Sequence, residues 1–199
     1  MKLLIALVSM LILSSLAVAA PDGSQLGPYV VSFDLNTDIQ YEVQSAQPVE
    51  NELATIYQMR IFTDNSTSAG ITVVDNKDLT DATMTMHKNL MAMEMTLRGL
   101  NVTSVDDMTI DGKAGFMATS VPIPTEQAVP ADIKIYRGMY WLDSEECECG
   151  PVAVGKTYVV ISSSYPEDVT ENLFGSLHVE TGQATPMAST GQDMPPATN

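Results

Sequence analysis

The stretch NVTSVDDMTIDGKAGFMATSV, residues 101–121, places the dipeptide Asp111-Gly112 between two runs with strand composition. An Asp-Gly pair adopts the positive φ angles of a two-residue hairpin turn at low cost, because glycine has no Cβ atom and aspartate tolerates the left-handed region. Residues 101–110 and 114–121 are therefore predicted to form an antiparallel hairpin around Asp111, Gly112 and Lys113.

Further strands are predicted on both sides of this hairpin. Residues 53–63 and 69–74 form a second hairpin around turn chemistry at 64–67. The remaining strands are predicted at 28–35, 133–142, 156–163 and 178–180.

Two helices are predicted between these strands. A Met-rich helix starts near Asp78 or Thr80 as N-cap and ends at Gly99. A shorter helix at 166–177 has a proline in its first turn. Because most strands are joined by short links, they are expected to pair antiparallel. The predicted fold class is therefore α+β, a twisted antiparallel sheet with helices packed on it.

Part of the chain, from about residue 53 to 179, resembles the PsbP-like superfamily of α/β/α sandwich domains. The resemblance is carried by the turn IDGKAG (110–115) after a long helix and a strand, the aromatic strand 136–142, and GKTYVVISSSYPEDVTENLFGSLHV (155–179). The sequence is also similar to a group of uncharacterised secreted proteins of methanogenic archaea that share YWLDS (140–144) and CECGPV (147–152). The superfamily includes photosystem accessory subunits, secreted lipoproteins and binding adaptors. The resemblance therefore implies a PsbP-like sandwich but no reaction and no catalytic residue.

The first twenty residues, MKLLIALVSMLILSSLAVAA, have the parts of a secretory signal peptide: a positive charge, an apolar run and small residues at the end. We therefore predict a signal peptide at 1–20, a single PsbP-like α+β domain at 21–180 and a disordered tail at 181–199. The mature protein is expected to be secreted, extracellular or at the cell surface. No later stretch is apolar enough to predict a membrane span.

The mature chain is strongly acidic. Removal of residues 1–20 leaves eight Lys and Arg against 25 Asp and Glu, a formal net charge of −17. Such a surface repels nucleic acid and anionic lipid, so neither is expected as a partner.

The predicted Met-rich helix carries five of the chain's thirteen methionines between residues 83 and 100. One stripe of this helix is predicted to face the core: Met86, Leu90, Met93, Leu97 and Leu100. The opposite stripe contains Met84, His87, Met91 and Met95. Thioether and imidazole groups suit copper(I), so a solvent-facing stripe of this kind is a candidate soft-metal site. Two alternatives are packing under a second cover, which methionine fills well, and an adaptable docking surface. Packing is favoured over docking, and docking over metal binding.

The pair Cys147 and Cys149 lies in the loop DSEECECGPV. In an exported protein an intramolecular disulfide is the default, and its tight ring would make it more reducible. A redox role is the alternative, but three neighbouring glutamates disfavour the thiolate that exchange requires. A structural zinc site lacks the required four ligands. A disulfide that staples the loop is therefore predicted.

Asn65-Ser66-Thr67 and Asn101-Val102-Thr103 match the N-glycosylation sequon, and both are expected at turns. Asn65 and Asn101 are therefore candidate glycosylation sites.

The sequence contains no GxGxxG, phosphate-loop, GxSxG or HExxH motif. We therefore expect no catalytic residue and no cofactor. The expected function is a non-enzymatic binding or accessory module, secreted or at the cell surface, with a protein or cell-surface partner. Its candidate surfaces are the Met/His helix face, the CECG loop and the aromatic residues Tyr136, Tyr140 and Trp141. These three aromatic residues are more typical of the core of the sheet than of a binding surface. The alternatives are a structural component of the cell envelope and a thiol-redox or copper(I)-handling protein.

Overall fold

The structure, a computed structural model, describes residues 23–63, 67–78, 83–124, 133–143, 145–146 and 153–182. The predicted signal peptide and residues 183–199 of the predicted tail lie outside these ranges. The described helices are α1 (Met84–Leu97) and α2 (Glu167–Ser176). The described strands are β1 (Ser24–Leu26), β2 (Tyr29–Ser32), β3 (Glu42–Ser45), β4 (Val49–Glu50), β5 (Ala54–Phe62), β6 (Ser68–Asn76), β7 (Leu100–Ile110), β8 (Lys113–Pro122), β9 (Ile135–Trp141), β10 (Glu145–Glu146), β11 (Ala153–Val154), β12 (Thr157–Ser163) and β13 (His178–Thr181).

The main sheet is antiparallel throughout, with the order β3-β5-β6-β12-β9-β8-β7 and β4 paired to β5. The hairpin predicted around Asp111-Gly112 is confirmed: Ile110 pairs with Lys113, and Asp111 and Gly112 have φ angles of 53° and 69°. The predicted hairpin of β5 and β6 is confirmed as well. Turn chemistry therefore sets the register at the Asp111-Gly112 hairpin.

The predicted α+β class, a PsbP-like α/β/α sandwich, is wrong. In the described part of the chain, strands account for 52% and helices for 18%, so the fold is a β-rich antiparallel one with two helices. The sequence prediction missed the short strands β1, β3 and β4, which have few apolar residues to mark them. The prediction also expected helices to cover the main sheet. One face is instead covered by α2 together with a second, three-stranded sheet, β1-β2-β13.

The central strands of the main sheet are covered on both faces, because their successive side chains alternate between the two faces. In β12, Val159 and Ile161 point to the larger core, which lies against α2 and the three-stranded sheet. Tyr158 and Val160 point to the opposite face, where they pack against the smaller core beneath α1. Since successive side chains of a strand point to opposite faces, one apolar strand supplies both cores.

Local signals place the helix ends. Thr83, rather than Asp78 or Thr80, is the N-cap of α1, and its hydroxyl accepts a hydrogen bond from the Met86 N–H at 3.1 Å. Gly99 has a φ of 79° and ends the helix as predicted. In the described ranges, neither helix has the length and apolar character to cross a membrane.

Candidate functional site

Helix α1 packs on the main sheet through the stripe of Met84, His87, Met91 and Met95, here called the inner face. Met91 and Met95 are 7% and 1% exposed, and Met84 is half-buried. They pack against side chains of β8 and β9, among them Phe116. The inner face is therefore covered. This agrees with the packing interpretation and disagrees with the interpretation that places this stripe in solvent.

The stripe predicted to face the core is instead the exposed one. Met93 and Leu97 are 54% and 80% exposed, and Met86 and Leu90 are also exposed, whereas Leu100 at the start of β7 is half-buried. Met86, Leu90, Met93 and Leu97 are here called the outer face. The prediction was wrong because both stripes are apolar, so the hydrophobic pattern of the helix alone does not show which one meets the sheet.

Two ion pairs flank the inner face and hold the helix in this rotation. Lys88 Nζ lies 2.6 Å from Asp107 Oδ1 on β7, and Arg137 Nη1 on β9 lies 2.9 Å from Glu94 Oε2. Lys88 and Glu94 are about 60° to either side of Met91 on the helix. Burial by itself would raise the pKa of Glu94, but hydrogen bonds and charge from the neighbouring arginines lower it below its ordinary value. Lys88 and Glu94 therefore each form an ion pair with the sheet, one on each side of the inner face.

An aromatic cluster of His87, Trp141 and Tyr158 lies under the N-terminal half of α1. The centroid of the His87 ring is 5.3 Å from that of Trp141 and 5.8 Å from that of Tyr158, and the two larger rings are 5.1 Å apart. Burial lowers the pKa of His87 below its ordinary value. His87 Nε2 and Trp141 Nε1 are buried and have no hydrogen-bond partner among the described residues. Such atoms are uncommon in folded proteins and call for an explanation.

Thioethers surround this cluster. Met91, Met95 and Met139 are buried beside Trp141, and Met84 packs against the same group. The sequence pointed to the methionines of the helix but not to Met139 or Tyr158, which come from strands 40 or more residues away. The prediction that Tyr136, Tyr140 and Trp141 belong to the core of the sheet is confirmed, since all three are buried.

A second group of polar side chains forms where β13 meets the turn between β7 and β8. Asp111 Oδ1 is 2.6 Å from His178 Nδ1, and Asp111 Oδ2 accepts from the Tyr140 hydroxyl at 3.1 Å and the Val179 N–H at 3.2 Å. Lys113 Nζ is 3.5 Å from the same oxygen. The sequence prediction used Asp111 only as a turn residue and found no partner for His178. The two residues are 67 positions apart, and only tertiary structure brings them together.

The electrostatics of this second group favour an ion pair. Burial alone would raise the pKa of Asp111, but hydrogen bonds from His178 and Val179 and the charge of Lys113 lower it. The hydrogen bond to Asp111 raises the pKa of His178, and burial together with the same carboxylate raises the pKa of Tyr140. The group therefore ties the three-stranded sheet to the tip of the β7–β8 hairpin.

The other predicted sites are placed only in part. Cys147, Cys149 and Asn65 lie outside the described residues, so their disulfide and sequon remain predictions. Asn101 is exposed, but in strand β7 rather than at the predicted turn. Since β7 is an edge strand of the main sheet, an oligosaccharide on Asn101 could be accommodated there.

Comparisons with known proteins found no matching family model, no matching curated protein and no matching solved structure. Within the described residues, no three His, Cys, Asp or Glu side chains form a group that could hold a metal ion. The resemblance to PsbP-like domains stays a prediction from the quoted motifs.

Proposed function

We propose that this protein is a secreted or cell-surface binding module without enzymatic activity, and that it associates with a second copy of itself through the outer face of α1. The observation that carries the proposal is the exposure of four large apolar side chains along one side of a well-packed helix. A helix that is apolar all round is normally buried all round, so a free apolar face of this kind favours a partner.

The surroundings of the outer face suit a protein interface. The exposed positions along one side of it, Thr85, Asn89 and Thr96, carry no charge, and on the other side the charges of Glu94 and Arg98 are paired with each other at 2.7 Å. Depletion of charge around apolar residues, methionine among them, is typical of the buried centre of protein interfaces.

The spacing of the outer face favours a second copy over an unrelated helix. Met86, Leu90, Met93 and Leu97 are separated by four, three and four residues, the spacing of a coiled-coil seam. This spacing is the same when it is read from either end of the helix. Two antiparallel helices related by a two-fold axis would therefore place Met86 opposite Leu97 and Leu90 opposite Met93, a self-complementary contact.

The size of the face indicates a weak dimer. A helix of 14 residues is about 21 Å long and about 10 Å wide. The contact is therefore small beside the roughly 800 Å² that each partner buries in a stable complex. Ile123, whose N–H donates to the Gly99 carbonyl at the end of α1, is exposed and extends the apolar surface. The net negative charge of the two copies opposes association, so salt should strengthen it.

Sedimentation velocity of the mature chain tests the proposal over a range of protein concentrations, at low and high salt. We expect a concentration-dependent dimer that is favoured by salt and is lost in Leu97→Asp. Leu53→Asp is the matched control, because Leu53 is 78% exposed and lies just before β5, away from α1. A chain that stays monomeric at high concentration and high salt, or a Leu97→Asp variant that dimerises like the wild type, would contradict self-association.

The proposed location has its own test. N-terminal sequencing of protein recovered from outside the cytosol should begin at residue 20 or 21, because the small residues at 17–20 mark the expected cleavage site. An intact N-terminus on cytosolic protein would contradict export.

A further inference from the structure

The aromatic cluster under α1 contains two buried polar atoms whose hydrogen-bonding capacity is unused within the described part of the protein. They are His87 Nε2 and Trp141 Nε1, on rings whose centroids are 5.3 Å apart. Leaving such groups unpaired has a free-energy cost in the folded protein. Since a leucine or phenylalanine could fill the position of His87 without this cost, an imidazole here favours a ligand that uses its nitrogen.

His87 has methionine neighbours on its own face of the helix. Met84 precedes it by three residues and Met91 follows it by four, and side chains at these spacings are adjacent on a helix surface. Both methionines belong to the group packed around Trp141. Met95 is eight residues from His87, about 12 Å along the helix axis. It is therefore too far away to share a ligand with His87, and its burial is explained by packing.

We propose that His87 Nε2 and the thioether sulfurs of Met84 and Met91 bind a copper(I) ion beside the indole ring of Trp141. This site is independent of the outer face, which lies on the other side of the helix. It also differs from the four-residue stripe suggested by the sequence, since Met95 is not a ligand. The side chains of Trp141 and Tyr158 line the site.

The chemistry of the ligands selects the ion. Thioether and imidazole are soft or borderline ligands that suit copper(I), whereas magnesium and calcium require oxygen ligands and structural zinc requires four ligands dominated by thiolate and imidazole. The ligand set is uncharged, and the neighbouring aromatic rings favour a monovalent cation.

The edge of the site at the start of α1 is partly exposed, although His87 Nε2 itself is buried. Met84 and His87 are half-buried rather than fully buried, and they lie in the first turn of α1. Because His87 Nε2 is buried, entry of an ion requires a local movement of the first turn of α1.

The experiment is an anaerobic titration of the mature protein with copper(I) against a chromophoric competing chelator. Cys147 and Cys149 are first alkylated, because free thiolates would bind the same ion. The test variant is Met84→Leu/Met91→Leu, a volume-conserving change that should preserve the fold. The matched control is Met86→Leu/Met93→Leu on the outer face, and a thermal unfolding curve of each variant checks its folding.

We expect one copper(I) per alkylated wild-type chain, and at least about a tenfold loss of affinity in the inner-face variant, comparable to losses seen when metal sites are perturbed. The outer-face variant should bind like the wild type. The chain has a single tryptophan, so its emission reports on the site directly and should change on binding in the wild type but not in the inner-face variant. No binding by the alkylated wild type, equal affinity of the folded inner-face variant, or binding without a change in tryptophan emission would overturn the proposal.

Discussion

Truncation of Met95 to alanine should destabilise the protein far more than the same truncation of Met93, two residues earlier on the same helix. Met95 is 1% exposed, so the change removes three buried heavy atoms at about 0.8 kcal/mol each and leaves a cavity. The free energy of unfolding should therefore fall by about 3 kcal/mol. Met93 is more than half exposed, and its truncation should cost less than about 1 kcal/mol.

Urea unfolding followed by the emission of Trp141 measures this difference, because Trp141 is buried under α1 and is the only tryptophan of the chain. The measurement is made at protein concentrations where the chain is monomeric, so that loss of a dimer contact does not add to the cost of Met93→Ala. Both variants make the same chemical change in the same helix, which cancels differences in helix propensity. A larger loss for Met93→Ala than for Met95→Ala would refute the rotation of α1 and, with it, both proposals.

The ion pair between His178 and Asp111 should stabilise the protein most between pH 3.8 and 6.5, the ordinary pKa values of the two groups. The pKa of His178 is raised in the folded protein, so its contribution to stability is lost as the pH rises above this window. The pKa of Asp111 is lowered, so its contribution is lost as the pH falls below the window. Because His178 is more than half exposed, His178→Gln should cost under about 1 kcal/mol at pH 5.5 and less at pH 8.5; equal losses by urea unfolding at the two pH values would contradict this. Gly112→Ala should cost about 1 kcal/mol in the same assay, since its φ of 69° strains any Cβ although the space around it is open, and an unchanged unfolding midpoint would contradict it. Gly138→Ala should lower the thermal midpoint by the equivalent of about 1–3 kcal/mol, because its Cβ would collide with the ring of Phe174, and a wild-type midpoint would show that the ring moves aside freely.

The parts of the fold that could be predicted are those with a local cause. The turn at Asp111-Gly112 needs two positive φ angles, and the helix stop at Gly99 needs one, so the residue types themselves reveal these positions. The β5–β6 hairpin follows from alternating side chains beside turn residues. The short strands β3 and β4 were missed because their side chains are exposed and carry no apolar pattern.

The candidate site was predicted only in part, for the same reason. The sequence indicated His87, Met84 and Met91 as neighbours, because helix spacing alone places them together. It did not indicate that Trp141 and Tyr158 close over them, since these side chains come from β9 and β12. The partnership of Asp111 with His178 depends on the pairing of β13 with β2, which no local pattern reveals.

By itself, the sequence determined that a Met-rich helix ends at Gly99 and that both of its sides are apolar, although it placed the start of the helix a few residues too early. Only the tertiary structure decided which side became core. The physical reason is that two nearly equal hydrophobic stripes differ little in the free energy of burial, so the choice falls to contacts from elsewhere in the chain. Asp107 and Arg137 offer ion pairs to either flank of the Met91 side, and Trp141 offers a ring to His87. The other stripe is left in solvent, where it can meet a second molecule.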